Sequence, residues 1–265
     1  MTLTFMQRIW THRELTMRLT QRDILSRYRG SLIGWGWTLL NPLMMLVIYT
    51  FIFSTVFKAR WETSQELGSA GFALNIFAGM TVFGLFAECA NNAPALITNN
   101  SSYATKVRFP LEVLGCSVVL SALFHASTSI AILLIFRFIV THSLPLGALL
   151  LPLVWLPYLL LTLAGTWLVS ALGVYLRDLN QFMAVAVSAL TFLSAIFYPI
   201  SALPKQLVPF FRLNPVANWV EQTRSLLILD KVPNALFLGL EIGGALLICE
   251  LSLRLFQKAS RGFAD

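Results

Sequence analysis

Six apolar segments, each long enough to cross a lipid bilayer as a helix, occupy most of this sequence. They lie at residues 32–57, 71–97, 111–140, 144–176, 180–199 and 233–256. The hydrocarbon core of a membrane is ~30 Å thick, and roughly 20 apolar helical residues span it. The apolar residues run on continuously instead of alternating, which favours helices over the strands of a barrel.

Composition agrees with a membrane location. Hydrophobic residues make up 57% of the 265-residue chain and charged residues only 12%, so one soluble core cannot cover the apolar side chains. The sequence therefore predicts an all-α, polytopic membrane protein with six transmembrane helices. We expect residues 32–265 to form one six-span transmembrane domain.

The first 31 residues differ, because arginines are spread through them. These are Arg8, Arg13, Arg18, Arg22, Arg27 and Arg29. No short apolar stretch with a small-residue cleavage site follows, so we expect this segment to be retained. Leu15 and Leu19 are one helical turn apart, as are Ile24 and Tyr28, which predicts a cytoplasmic amphipathic helix in the membrane interface over residues 1–31. Simple anchoring by a basic segment is the alternative.

The distribution of lysine and arginine predicts the orientation. With the N-terminus in the cytoplasm, 12 of the 19 basic residues fall on the cytoplasmic side. An even number of spans places both termini on one side, and basic residues prefer the cytoplasmic face. We therefore expect a multi-pass protein of the bacterial inner membrane with both termini in the cytoplasm.

Prolines punctuate the connection between the fifth and sixth spans. They are Pro199, Pro204, Pro209 and Pro215. Because proline ends helices, short apolar pieces between prolines predict two brief helices that re-enter the membrane from the outer side. Irregular backbone at such depth is tolerated where it is buried in protein or lines a watery cavity, which indicates a transport path.

Catalytic and metal-binding motifs are missing from the sequence. It contains no G-x-x-x-x-G-K-[S/T] loop and no H-E-x-x-H. The histidines His12, His125 and His142 are scattered, and the three cysteines fall within spans, where small buried apolar residues are expected. We predict no catalytic residues, no metal ligands and no cofactor in this chain.

Five groups of residues resemble, in order and topology, the permease subunits of bacterial ATP-binding-cassette exporters of lipid-linked polysaccharide. They are Arg22-Asp23, Arg27 to Ser31 and Asn41-Pro42; Asn99-Asn100 and Lys106 to Glu112; Tyr175 to Asp178; Phe197 to Ile200 and Leu203-Pro204; and Asn214-Pro215 with Glu221 and Arg224. One departure is Ala195, where the resemblance leads us to expect a proline just before the Phe-Tyr-Pro turn.

The resemblance implies a half-transporter. Two copies of the chain would form the membrane conduit, and two copies of a separate ATPase, which binds ATP and Mg, would supply the energy. The expected substrate is a lipid-linked polysaccharide, of the O-antigen, capsule or teichoic acid type. Membrane lipid is a further expected partner and nucleic acid is not. A small-molecule exporter, an ion-coupled transporter and a membrane-embedded transferase are the alternatives.

Two predicted cytoplasmic elements are candidates for a direct role in transport. Residues 98–109 begin with helix-capping side chains and stop at a proline, which predicts a short helix at the place of the family's coupling helix. Its candidate residues are Asn99, Asn100, Ser101, Lys106 and Arg108. A solvated loop is the plain alternative.

The end of the N-terminal helix is the second element. The resemblance implies that it frames the cytoplasmic entrance, where Arg27 or Arg29 meets a phosphate-bearing head group. The candidate entrance residues are Arg22, Asp23, Arg27, Tyr28 and Arg29.

Aromatic and polar residues within spans are candidates for the conduit wall, since sugars pack their C–H faces on rings. The candidates are Tyr49, Phe53, Glu88, Phe192 and Phe197. Packing against lipid or neighbouring helices is the alternative for the rings, and fastening helices together is the alternative for Glu88. The outer short helices are expected to act as a gate. Its candidate residues are Tyr198, Pro199, Pro204, Asn214, Pro215, Glu221 and Arg224.

Overall fold

The computed structural model describes residues 5–52, 68–104, 109–200, 203–260 and 262–263, and these residues form helices and no β-strand. The helices are α1 (Phe5–Thr11), α2 (Arg13–Tyr28), α3 (Trp37–Tyr49), α4 (Gly68–Asn92), α5 (Ser101–Ala104), α6 (Glu112–Thr141), α7 (Leu151–Tyr175), α8 (Leu179–Leu193), α9 (Val208–Leu213), α10 (Pro215–Leu227) and α11 (Ala235–Ser260). The predicted all-α class is confirmed.

Five helical stretches in the described part of the chain are long and apolar enough to cross a membrane. They are Gly34–Ile52, Ala70–Asn92, Glu112–Thr141, Leu146–Tyr175 and Ala235–Ser260. These match the first four predicted spans and the sixth to within about five residues at each described end, and residues 53–57 lie outside the described part. The apolar runs therefore located the long helices well.

The fifth predicted span, 180–199, is represented by a shorter apolar helix. α8 contains 15 residues, which makes it about 22 Å long, less than the hydrocarbon thickness. Beyond Leu193 the chain turns, and side chains from the outer helices bind its carbonyls: the Asn214 amide donates to Leu193 O (3.1 Å) and Arg224 Nη1 to Ala195 O (2.8 Å). The rest of this span is therefore a turn held by hydrogen bonds from other parts of the chain.

The first span contains Pro42, whose effect on the helix is visible. Proline has no backbone N–H, so the carbonyl of Thr38, one turn earlier, has no helical donor. The Thr128 hydroxyl on α6 lies 3.5 Å from that carbonyl, and its stronger bond runs to His125 O (2.7 Å). The proline thereby places a polar contact between the first and third spans.

The centre of the bundle lies between α4, α6, α7 and α11. The large buried side chains Trp167 and Tyr158 on α7 both use their polar atoms: Trp167 Nε1 donates to Glu112 O (2.9 Å), and the Tyr158 hydroxyl donates to the carbonyl of Val82. On the other side of α7, Ser252 of α11 donates to Ala164 O (2.6 Å). Satisfied polar groups between spans fix the register of helices that lipid alone would not order.

The N-terminal helices pack against the bundle. α2 lies along α6 with a buried stripe at helical spacing, formed by Thr16, Leu19, Thr20 and Ile24. Arg8 of α1 pairs with Glu112 (3.2 Å), and the Phe5 backbone N–H donates to Glu250 (2.8 Å). The predicted interface segment is therefore a pair of helices that contacts the start of the third span and the end of the last.

The predicted short outer helices are present as α9 and α10. Pro209 stands in the first turn of α9 and Pro215 begins α10, where a proline removes only an N–H that has no helical partner. The Asn214 side chain accepts from Val216 N–H (3.0 Å) as the N-cap of α10. At the other end, Arg137 Nη1 donates to Leu227 O (2.8 Å). α10 is thus secured at both ends and buried against α4 and α7.

Candidate functional site

The predicted coupling residues follow the second span directly. Asn99 and Asn100 lie in a 3-10 turn and Ser101 begins α5. The Asn100 amide donates to a carbonyl one turn earlier (2.9 Å), which ties the turn to the end of the span. The other two predicted coupling residues, Lys106 and Arg108, lie outside the described residues.

The predicted entrance residues Arg22 and Asp23 form one polar group with neighbouring helices. Arg22 donates to Asp23 Oδ1 through Nη2 (2.8 Å) and to the Tyr103 hydroxyl (3.1 Å). The other carboxylate oxygen of Asp23 accepts from the Ser117 hydroxyl (3.1 Å). α2 is therefore bonded both to the helix after the coupling turn and to the third span.

The remaining entrance residues differ in environment. Arg29 is exposed just beyond α2, and its backbone N–H closes the helix end. Tyr28 is half-buried and packs edge-on against the His125 ring, with 6.1 Å between centroids. Arg27, on the same face, points to the bundle.

Glu88 is the centre of a three-residue polar cluster. Arg27 Nη1 donates to Glu88 Oε1 (2.7 Å) and to His125 Nδ1 (2.9 Å), and His125 Nδ1 lies 3.4 Å from the same carboxylate oxygen. A guanidinium can only donate, so His125 Nδ1 is the acceptor in this contact. Glu88, placed on the second span, is thereby bound to the N-terminal helix and to the third span.

Two cavities adjoin this cluster. The first, which we name the span-side cavity, has a volume of about 330 Å³ and lies beside Trp37, Tyr49 and Phe77. The second, the loop-side cavity, has a volume of about 430 Å³ and lies beside Asn99 and Asn100. The coupling turn, the entrance helix and Glu88 therefore all border the loop-side cavity.

The predicted conduit aromatics fall into two groups. Tyr49 lines the span-side cavity and packs, as Phe197 does, against the buried pair Phe72 and Ile76. Phe192 is largely exposed on α8, and its ring centroid is 5.9 Å from that of Phe197. A further predicted residue, Phe53, lies outside the described part of the chain.

The predicted gate residue Arg224 is buried at the centre of the outer region. Its guanidinium donates to the carbonyls of Asn75 (2.9 Å), Ala195 (2.8 Å) and Ile196, and Glu221 lies 3.8 Å away. A guanidinium spreads its donors in a fixed fork, so a single side chain joins α10 to the second span and to the turn after α8.

The other predicted gate residues surround this point. Tyr198 is half-buried and donates to the carbonyl of Phe192. Pro199 follows it in the turn, and Pro204 accepts from Leu207 N–H (2.8 Å) to start the approach to α9. The structure thus brings the predicted gate residues into one outer region.

Sequence reasoning missed two residues, His125 and Arg137. His125 joins Arg27 and Glu88 in the polar cluster. Arg137 is buried and donates to the carbonyl at the end of α10. The available signal was the presence of an ionisable residue inside a span, which rarely faces lipid. Within the described residues no group of His, Cys, Asp and Glu has the arrangement of a metal site.

The described residues contain five helices long and apolar enough to cross a membrane, which is typical of a multi-spanning membrane protein. Residues 14–228 match the family model for ABC-2 type transporters. The chain belongs to the ABC-2 type transporter family, and the resemblance noted in the sequence is confirmed.

The chain is also similar to individual proteins that are named for export or transport. The chain is 26% identical over 235 residues to an O-antigen export system permease protein RfbA of Myxococcus xanthus, covering 88% of this chain and 87% of the relative. It is 22% identical over 253 residues to an RfbA of Klebsiella pneumoniae, covering 95% and 94%. It is 22% identical over 204 residues to the polysialic acid transport protein KpsM of Escherichia coli, covering 77% of each chain.

Proposed function

We propose that this chain is the permease subunit of an ABC transporter that exports a lipid-linked polysaccharide of the O-antigen type across the inner membrane. The observation that carries the proposal is the similarity, over nearly the whole chain, to proteins named as O-antigen export permeases. The polar entrance cluster and the aromatic side chains next to it support a substrate that has both a charged head and a sugar chain.

Export of a capsule-type glycan is the second candidate. The observation in its favour is the similarity to a polysialic acid transport protein, which covers 77% of the chain. Both candidates share the same mechanical role and differ only in the polymer carried.

The energy would come from a separate ATPase, two copies of which bind ATP and Mg beneath two copies of this chain. Both termini lie in the cytoplasm in this proposal, which places α2 and the turn at Asn99 and Asn100 on the side of the ATPase. Nucleotide-driven closure of the ATPase pair would move that turn, and α4 would carry the movement to Glu88 and the entrance helix. The chain itself would act as a transport subunit and not as an enzyme.

Arg27 and Arg29 would meet the phosphate of the lipid-linked substrate at the entrance. Arg29 is exposed, and the Arg27 side chain retains about half of its exposure, so both can reach a head group at the membrane surface. The outer helices α9 and α10 would form the exit gate, with Arg224 as its fixed point.

Reconstitution tests the proposal. Vesicles that contain this chain and its ATPase should transfer a lipid-linked O-antigen across the membrane when ATP is supplied, and should not do so with a non-hydrolysable analogue. Vesicles with this chain alone should transfer nothing and hydrolyse no ATP. Transfer by the chain alone, or an ATP-dependent transfer of small molecules in place of glycan, contradicts the proposal.

A further inference from the structure

Among the described residues, only two side chains line both cavities: Arg27 and Glu88. Their ion pair, with Arg27 Nη1 2.7 Å from Glu88 Oε1, therefore stands on the boundary between the span-side and loop-side cavities. A side-chain contact at such a boundary separates two spaces that would otherwise be continuous.

The two cavities differ in chemistry. The loop-side cavity is bordered by amides and charged groups, including Arg22, Asp23 and Asn92. The span-side cavity is bordered by rings and thioethers, among them Trp37, Tyr49, Phe77 and Met80, together with the hydroxyl groups of threonine and serine side chains. A polar head group fits the first environment, and flat sugar faces fit the second.

The two side chains of the pair differ in exposure. The Arg27 side chain is 51% exposed and reaches from the end of α2, whereas Glu88 is 21% exposed and lies within a span. Exposed ion pairs contribute little to stability, so Arg27 can readily leave Glu88 and bind another anion. The two parallel N–H groups of its guanidinium match the oxygens of a phosphate.

Glu88 keeps a second partner when Arg27 leaves. His125 Nδ1 lies 3.4 Å from the carboxylate, and the His125 side chain is only 16% exposed. A carboxylate inside a membrane is costly without a partner. Once Arg27 no longer donates to Nδ1, the neutral His125 ring can carry its proton on Nδ1 and donate it to Glu88. Glu88 therefore has a partner both when Arg27 is bound to it and when Arg27 is withdrawn.

We infer that the Arg27–Glu88 pair is a closed partition between the two cavities, and that a lipid head group with two or more negative charges opens it by taking Arg27 from Glu88. This inference rests on the proposed function. Glu88 is then a specificity-determining residue, because every anion that approaches Arg27 must compete with a carboxylate already in place. Phospholipids, with a single phosphate charge near the glycerol, compete poorly, and this keeps the abundant bilayer lipids out of the route.

The test uses the complete complex with its ATPase, reconstituted in phosphatidylcholine vesicles. The probes are a polyprenyl diphosphate, a polyprenyl monophosphate and phosphatidylglycerol, and the readout is the stimulation of ATP hydrolysis by each. In the wild type we expect the diphosphate to stimulate at roughly tenfold lower concentration than the other two, the size of effect that one charged hydrogen bond supplies. In Glu88→Gln this ratio should fall to about twofold.

Glu112→Gln is the matched control. It removes the same charge and breaks an ion pair of 3.2 Å between the N-terminal region and the third span, but Glu112 borders neither cavity. We expect the wild-type ratio in this variant. An unchanged ratio in Glu88→Gln, or an equal loss in Glu112→Gln, overturns the inference.

Glu88→Asp provides a second readout that does not depend on the Gln variant. It keeps the carboxylate that competes for Arg27, so the diphosphate should again stimulate at a roughly fivefold lower concentration than the other two lipids. A ratio as low as that of Glu88→Gln overturns the inference. If the wild type itself responds to no anionic lipid and transfers no glycan, the proposed function fails as well, so the two failures are distinguishable.

Discussion

Arg224 and Arg137 are buried in the helical bundle, and each guanidinium donates to backbone carbonyls. Arg27, by contrast, is half-exposed and donates to a carboxylate. A buried guanidinium bonded to carbonyls is expensive to disturb, because both the charge and the carbonyls would lose their partners. The first two arginines are therefore fixed points of the structure, whereas Arg27 is free to exchange partners.

Arg224→Met should destabilise the protein by about 3 kcal/mol, because it removes three buried hydrogen bonds to the carbonyls of Asn75, Ala195 and Ile196. Methionine fills part of the same volume, so the loss of hydrogen bonds dominates the effect. Arg212→Met, at an exposed position on α9, is the control and should change stability by less than about 0.5 kcal/mol. The midpoint of thermal unfolding in detergent measures both. Equal midpoints would show that Arg224 is not a structural clamp.

Ala195 has a φ of 52°, in the left-handed region that favours glycine. Proline fixes φ near −65° and cannot adopt this backbone. Ala195→Pro should therefore lower the yield of folded protein sharply, whereas Ala195→Gly should leave it close to the wild type. Size-exclusion chromatography of purified variants distinguishes them, and a well-folded proline variant would contradict the assigned turn.

At the scale of helices, the position of the coupling turn depends on a close approach between α7 and the residues before that turn. A Cβ at Gly173 would overlap the carbonyl oxygen of Pro94, a backbone atom that cannot move aside. A Cβ at Gly165, eight residues earlier on the same helix, would meet no atom within 4 Å. α7 thus places the chain that leads to Asn99 and Asn100.

Gly173→Ala should displace the 93–97 segment and reduce coupling between ATP hydrolysis and glycan transfer at least tenfold, a loss of about 1.4 kcal/mol in the transferring state. Gly165→Ala should transfer normally and be slightly more stable, since alanine favours helix by about 1 kcal/mol over glycine. The ratio of glycan transferred to ATP hydrolysed measures the effect. Comparable ratios in the two variants would show that the close approach of α7 to Pro94 does not position the coupling turn.

The elements differ in how far the sequence predicts them. Long apolar runs located α6, α7 and α11 because length and hydropathy are local properties. The end of α8 at Leu193 was not predictable in this way, since the turn after it is held by Asn214 and Arg224 from later in the chain. The sequence predicts only part of the Glu88 cluster. It identifies the carboxylate as a candidate, but the partners Arg27 and His125 are 61 and 37 residues away from Glu88 along the chain. Contacts between distant segments are set by the packing of helices, which no local pattern records.

At the scale of the whole molecule, α8 is an apolar helix that is largely uncovered within one copy of the chain. Val187 is its one buried residue, and Phe192 is 65% exposed at its outer end. A homodimer with α8 near the twofold axis would cover this face and place the predicted conduit rings opposite each other, consistent with closed twofold assembly. α11 carries exposed apolar residues as well, but it packs behind α7 and is expected to face lipid.

Phe192→Cys, in a chain whose native cysteines are alanine, should therefore form a cross-link between two copies in the intact complex when a short bifunctional thiol reagent is added. Leu247→Cys on α11, at a residue that is 74% exposed, is the matched control and should stay monomeric. Gel migration under denaturing conditions separates the products, and native mass spectrometry should give two permease and two ATPase chains. A cross-link at Leu247 and none at Phe192 would place the twofold axis on the opposite side of the bundle, and the conduit residues would have to be sought there.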